Sequence, residues 1–128
     1  MCPNKNRILY TEDHTDTQEL VRFILNHLNY EVVITPNFLE ALRLAQEETF
    51  DLYMLDTSLT DGSGVDLCRR IREFDTATPI LFYSGNALDS EKAIAMESGA
   101  QAYLTKPATL DELSGAISKL ITLAHAAP

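Results

Sequence analysis

Cationic residues are scarce in this chain. Its 128 residues carry 10 Lys and Arg against 19 Asp and Glu, a formal net charge of −9. A surface so acidic repels phosphate backbones and anionic headgroups, which argues against direct binding to nucleic acid or to a membrane. Cysteine is nearly absent. Cys2 lies in a polar leading tail and Cys68 on the apolar face of a helical stretch. Two cysteines so placed make neither a disulfide framework nor a zinc site, and Cys68 reads as a small core residue. No apolar run approaches the length of a membrane span and no signal peptide is evident, so the cytoplasm is the expected compartment. Repeats, low-complexity tracts and linkers are missing too. One domain over residues 1–128 is expected, with a core over about 7–123. The last four residues, His125 to Pro128, read as a fraying end or the start of a further segment.

What is present is a regular alternation. Strands are expected at Arg7 to Thr11, Glu31 to Ile34, Asp51 to Leu55, Pro79 to Tyr83 and Ala102 to Leu104. Most are continuously apolar, as strands covered on both faces are. Between them, apolar residues recur at helical spacing. The sets are Leu20, Val21, Ile24, Leu25 and Leu28; then Phe38, Leu42 and Ala45; then Val65, Cys68 and Ile71. Leu110, Leu113, Ile117, Leu120, Ile121 and Ala124 form the last, and Leu88 to Ser98 is the least strongly patterned helix. Thr15 or Asp16 is placed to cap the first helix, Thr109 with Glu112 makes a capping box, and Gly99 suits a helix stop. Five strands alternating with five helices predict an α/β, doubly wound parallel sheet.

The chemistry gathers where the strands run out. Glu12 and Asp13 follow the first apolar run, Asp56 the third, Ser84 the fourth, and Lys106 the fifth. In an open parallel sheet these carboxyl ends border the ligand crevice. Three carboxylates in one crevice raise one another's pKa unless a cation compensates. Oxygen ligands without thiolate or imidazole suit a hard ion, Mg2+ first among them. A carboxylate beside Mg2+ can act as nucleophile toward a phosphoryl group, with Lys106 and Ser84 neutralising or donating to its oxygens. Taken singly, each residue has an ordinary reading: an aspartate after a strand is more often a turn or cap residue, and Ser84-Gly85 is a loop signal. Gly62-Ser63-Gly64 supplies turn geometry, not a phosphate cradle. His14 reads as an exposed loop histidine rather than a ligand, and Arg69, Arg70 and Arg72 as a solvated helix face. Tyr103, at a strand end, has a packing reading of equal weight to any functional one.

Four fragments in order resemble the receiver domains of two-component response regulators. They are ILYTED (8–13), LDTSLTDGSGVDLCRRIR (55–72), YSG (83–85) and SGAQAYLTKP (98–107). The resemblance spans about Arg7 to Leu123 and implies a flavodoxin-like sheet of order 2-1-3-4-5 between five helices. It implies that Asp56 is the phosphoacceptor, charged by a sensor histidine kinase or a histidine phosphotransfer protein. Mg2+ would be held by Asp13, Asp56 and the backbone carbonyl of Ser58, with Glu12 acting through water. Lys106 would pair with Asp56 and then its phosphoryl group, and Gly85 would let a backbone N–H approach the same oxygens. Ser84 and Tyr103 would then move together and remodel a Leu88–Leu123 face for an effector or a phosphorylation-dependent dimer. Lys106-Pro107 is expected to be cis. Such a protein is not an enzyme with turnover; it catalyses only its own phosphorylation and dephosphorylation. Thr60, where proline is common in the family, is expected to loosen the acceptor loop, and Ala108 to leave its turn less well packed. Glu12 stands where aspartate is commoner, and Asn86 lies where side chains tune phosphoryl lifetime. Two other readings exist: a pseudo-receiver that is never phosphorylated, and an FMN binder of the same architecture, which Glu12, Asp13 and the lack of a phosphate loop disfavour.

Overall fold

A computed structural model describes residues 5–126; Cys2 and the final residues 127–128 lie outside the described residues. Five parallel strands form the main sheet: β1 (Arg7–Thr11), β2 (Glu31–Thr35), β3 (Leu52–Leu55), β6 (Ile80–Ser84) and β7 (Ala102–Thr105). They lie in the order β2-β1-β3-β6-β7, which is the expected 2-1-3-4-5 when these five alone are counted. A two-stranded antiparallel ribbon, β4 (Ser58–Leu59) and β5 (Gly62–Ser63), follows β3. Its strands are too short to leave a period in the sequence.

The helices are α1 (Thr15–His27), α2 (Phe38–Glu47), α3 (Gly64–Arg72), α4 (Asp89–Glu97) and α5 (Leu110–Ala126). Alternate strand residues feed opposite faces. Leu9, Tyr53, Leu55, Ile80 and Phe82 meet Ala41, Leu42, Leu67, Cys68, Ile71 and Ala95 on the side of α2, α3 and α4. Ile8, Tyr10, Leu52, Met54, Leu81 and Tyr83 meet Val21, Leu25, Leu113, Ile117 and Ile121 on the side of α1 and α5. Both faces are covered, which is why the strands read as unbroken apolar runs. Cys68 is wholly buried, and its thiol donates to the Ser98 carbonyl oxygen at 3.5 Å.

Local chemistry sets the helix ends. Asn37 caps α2 by accepting from the Glu40 N–H, and Ser63 caps α3 by accepting from the Val65 N–H. Thr109 and Glu112 exchange both capping-box hydrogen bonds, at 3.1 and 2.9 Å. Gly99 adopts φ +122° after α4, a backbone region that suits glycine.

Several expectations are corrected. Neither Thr15 nor Asp16 caps α1; the N-cap is His14, whose side chain makes no capping bond, and Thr15 is already helical. Leu20 and Leu110 are exposed rather than on the buried faces of α1 and α5. Of the segment expected to fray, His125 and Ala126 are described as part of α5 and residues 127–128 lie outside the described residues; His125 Nε2 lies 3.3 Å from Asp51 Oδ1. Arg72 is not a solvated arginine: it donates to Gly99 O, Asp75 O and Gln101 Oε1, tying α3 to the turn before β7. Arg69 and Arg70 do face solvent.

Candidate functional site

The parallel register brings the strand ends side by side. Thr11 pairs with Leu55, Leu55 with Phe82, and Ser84 with Thr105. The residues that follow β1, β3 and β7, together with the last residue of β6, therefore share one end of the sheet. Asp56 is almost completely buried there. Lys106 reaches it with Nζ 3.0 Å from Asp56 Oδ2. Lys106 Nζ also hydrogen-bonds Glu12 Oε1, a pairing the sequence did not disclose. Glu12 is fully buried and further accepts from the Tyr10 hydroxyl at 3.0 Å and the His14 N–H at 3.1 Å.

These contacts set the charge of the crevice. Burial pushes the Glu12 carboxyl up, but Lys106 and His14 outweigh it and hold it down at about 2. For Asp56 burial wins: its carboxyl stays above the usual range although Lys106 opposes the shift. Burial alone would lower the Lys106 ammonium, yet Glu12 and Asp56 raise it. The cation is therefore fixed in its charged form between two carboxylates.

Asp13 is the third carboxylate. Its Oδ2 accepts from the Thr60 hydroxyl at 3.1 Å. Its Oδ1 is buried and accepts no hydrogen bond, although His14 Nδ1 lies 3.0 Å away. A buried acceptor with no hydrogen bond and only an exposed imidazole beside it is a position that a cation can satisfy. Ligand atoms of Glu12, Asp13, His14 and Asp56 all lie within 4.8 Å of one another. The donors are mainly carboxylate oxygens, so the cluster fits a hard divalent ion such as Mg2+.

Ser84 and its surroundings complete the crevice. His14, Thr17, Asp56, Ser58, Ser84, Gly85, Asn86 and Lys106 line a cleft of about 420 Å³. A larger concavity of about 670 Å³ lies at the opposite end of the sheet, among Pro79, Ala102, Gly115 and Leu120, without a carboxylate on its walls. The chemistry is in the smaller one. Ser84 Oγ sits 2.6 Å from Thr57 Oγ1 and accepts from the Asn86 N–H at 3.2 Å. Tyr103, outside the cleft lining, donates its hydroxyl to Asn86 O at 2.6 Å and stacks on Phe82. Asn86 thus joins Ser84 to Tyr103. Gly85 has nothing within 4 Å of where a Cβ would stand. Ser58 donates its N–H to Asp56 Oδ1 at 3.3 Å. A Cβ on Gly64 would stand 1.8 Å from the Asp56 carbonyl oxygen, so glycine is required for α3 to begin beneath the loop that follows β3.

Thr57, Thr60 and Tyr10 were not singled out by sequence as partners of the site. The hydroxyls of Thr57 and Thr60 reach across 27 and 47 residues to Ser84 and Asp13, separations at which no local pattern forms. Thr60, expected to loosen the loop after β3, donates its hydroxyl to Asp13 Oδ2. Ala108, expected to leave its turn less well packed, is partly buried against the α1 and α5 side of the core, and its N–H donates to the Tyr83 hydroxyl. Lys106-Pro107 is cis, as expected.

Known proteins share this fold. The family model for the response regulator receiver domain matches residues 8–118. The sensor protein EvgS of Escherichia coli K12 is 32% identical over 126 residues, which cover 98% of this chain and 10% of that protein. The response regulator ArlR of Staphylococcus saprophyticus is 31% identical over 115 residues, covering 90% of this chain and 52% of ArlR. The chain thus spans a tenth to about half of these relatives. Among solved structures, the receiver domain of the sensor histidine kinase PA1611 from Pseudomonas aeruginosa PAO1 has a magnesium ion coordinated in its active site cleft. It superposes with a TM-score of 0.87 at 26% identity, over 93% of this chain and 99% of that one. A receiver domain protein from Methanospirillum hungatei gives a TM-score of 0.90 at 25% identity, over 95% of this chain and 98% of that one. Fold, strand-end chemistry and family match agree: the chain belongs to the response regulator receiver domains of two-component systems.

Proposed function

We propose that this receiver domain is a phosphoaspartate switch with Asp56 as its acceptor. The observation that carries the reading is Lys106 Nζ, 3.0 Å from Asp56 Oδ2, at the end of a buried crevice that also holds Asp13 and Ser84. An Asp56 carboxylate oxygen attacks the phosphorus of a phosphohistidine. The P–N bond breaks, the imidazole leaves with the bond pair and takes up a proton, and an acyl phosphate remains. Burial keeps the Asp56 carboxyl above its usual range, which makes the ionised form more basic and a better nucleophile. Lys106 is already charged and can follow the negative charge from the carboxylate to the phosphoryl oxygens. Asp13, Asp56 and the Ser58 carbonyl would hold Mg2+. Bound there, Mg2+ supplies charge neutralisation for the phosphoryl oxygens.

The donor in this reading is a sensor histidine kinase or a histidine phosphotransfer protein. A new phosphate on Asp56 draws Ser84 away from Thr57, and the Asn86 link carries the change to Tyr103 and the Leu88–Leu123 face. The output is a change of binding surface for an effector or a second copy, not turnover.

Intact mass after incubation with acetyl phosphate tests this directly, with and without Mg2+, for the wild type and Asp56→Asn. The expected result is one phosphoryl adduct that needs both Mg2+ and Asp56. No adduct, with no spectral response to beryllofluoride, would leave a protein-interaction module that is never phosphorylated.

A further inference from the structure

We infer that Thr60 is a positioning residue for the metal-facing carboxylate Asp13. This rests on the Mg2+ reading of the crevice and goes beyond it. Two observations on the same carboxyl group carry it. Asp13 Oδ2 accepts the Thr60 hydroxyl at 3.1 Å, while Oδ1 is buried and accepts no hydrogen bond. The two oxygens are therefore unlike: one is held by the Thr60 hydroxyl, while the other accepts no hydrogen bond, has the exposed His14 ring as its neighbour at 3.0 Å, and faces the carboxylate cluster.

The loop's geometry explains why Thr60 can reach. Residues 60 and 61 form the turn of the β4–β5 ribbon. The Asp61 carboxylate fixes that turn from the other side, accepting from the N–H groups of Phe38 and Leu39 at the start of α2 at 2.7 and 3.2 Å. Gly62 packs closely beneath Phe38. With the turn held against α2, the Thr60 hydroxyl is presented to the end of β1 at a set place. A carboxylate with one oxygen hydrogen-bonded loses rotational freedom, so less order is lost when the other oxygen binds a cation. Partners of this kind, one bond removed from the ion, typically change metal affinity 10–100-fold when lost. Proline at this position could not make the contact, because it has no hydroxyl. In this chain the acceptor loop thus supports the metal side of the crevice as well as Asp56.

The test is Mg2+ titration of the unphosphorylated protein, followed by two-dimensional amide NMR, for the wild type, Thr60→Val, Thr60→Ser and Thr60→Pro. Val keeps the shape of threonine without its hydroxyl, and thermal unfolding of each apo variant checks that the fold is intact. Expected are a loss of Mg2+ affinity of about tenfold in Thr60→Val and Thr60→Pro, and near-complete recovery in Thr60→Ser. Wild-type affinity in Thr60→Val overturns the inference and leaves the metal reading standing. No saturable Mg2+ binding by the wild type overturns both.

Discussion

Lys106 holds two buried carboxylates, Glu12 and Asp56, with one ammonium, and that asymmetry governs its replacement. Lys106→Met strands both acids without their cation, a change expected to cost about 3 kcal/mol at neutral pH. Urea denaturation checks it. The dependence on pH follows from Glu12, whose folded pKa of about 2 lies below the ordinary glutamate value of roughly 4.3. A depressed carboxylate contributes stability above its unfolded pKa and loses it as pH falls through the folded one. The gap between wild type and Lys106→Met should therefore be full near pH 7 and narrow between about pH 5 and pH 2. A gap that stays constant over that range would show that Glu12 does not carry it. At this scale the sequence was legible where a charged residue ended an apolar run, as at Asp13, Asp56 and Lys106. It was silent on Tyr10 and Thr57 and marked Thr60 only as a departure from proline, because their site contacts depend on how loops and strand ends are brought together in space.

Helices and turns differ in how much they tolerate. Ile117 on α5 is wholly buried, whereas Leu110 at its start is 45% exposed. Ile117→Ala should cost about 2–5 kcal/mol, and Leu110→Ala no more than roughly 0.5. Two glycine substitutions should move in opposite directions. Gly64→Ala drives a Cβ into the Asp56 carbonyl and should destabilise by about 2 kcal/mol. Gly115, inside α5 with open space at its Cβ, should become more stable by about 0.5–1 kcal/mol on replacement by Ala. Thermal unfolding with calorimetry reads all four. Element type and order were legible in the sequence because apolar periodicity survives small errors of boundary. The ribbon at 58–63 was not, since two residues per strand carry no period. The exposure of Leu20 and Leu110 was hidden for a related reason: a helix stripe shows which residues share a side, not how far the neighbouring layer extends over it.

The whole molecule carries a net charge of −9, and part of that charge is concentrated at the crevice. Binding of Mg2+ to the folded state alone should raise the melting temperature, by the equivalent of about 2.7 kcal/mol at a hundred times the dissociation constant. The rise should exceed that in NaCl of equal ionic strength, reverse with EDTA, and be lost in Asp13→Asn. An equal response to both salts would assign the effect to general screening of the acidic surface. Cys68 offers a different view of the molecule at this scale. Its thiol lies wholly inside the layer between the sheet and α3, and burial pushes its pKa up. An alkylating reagent meets it only when that layer separates from the sheet, so the labelling rate at Cys68, resolved by peptide mapping, is a clock for opening events. Run with and without a phosphoryl donor, that clock would show whether charging Asp56 merely reshapes the surface or also tightens the interior beneath it.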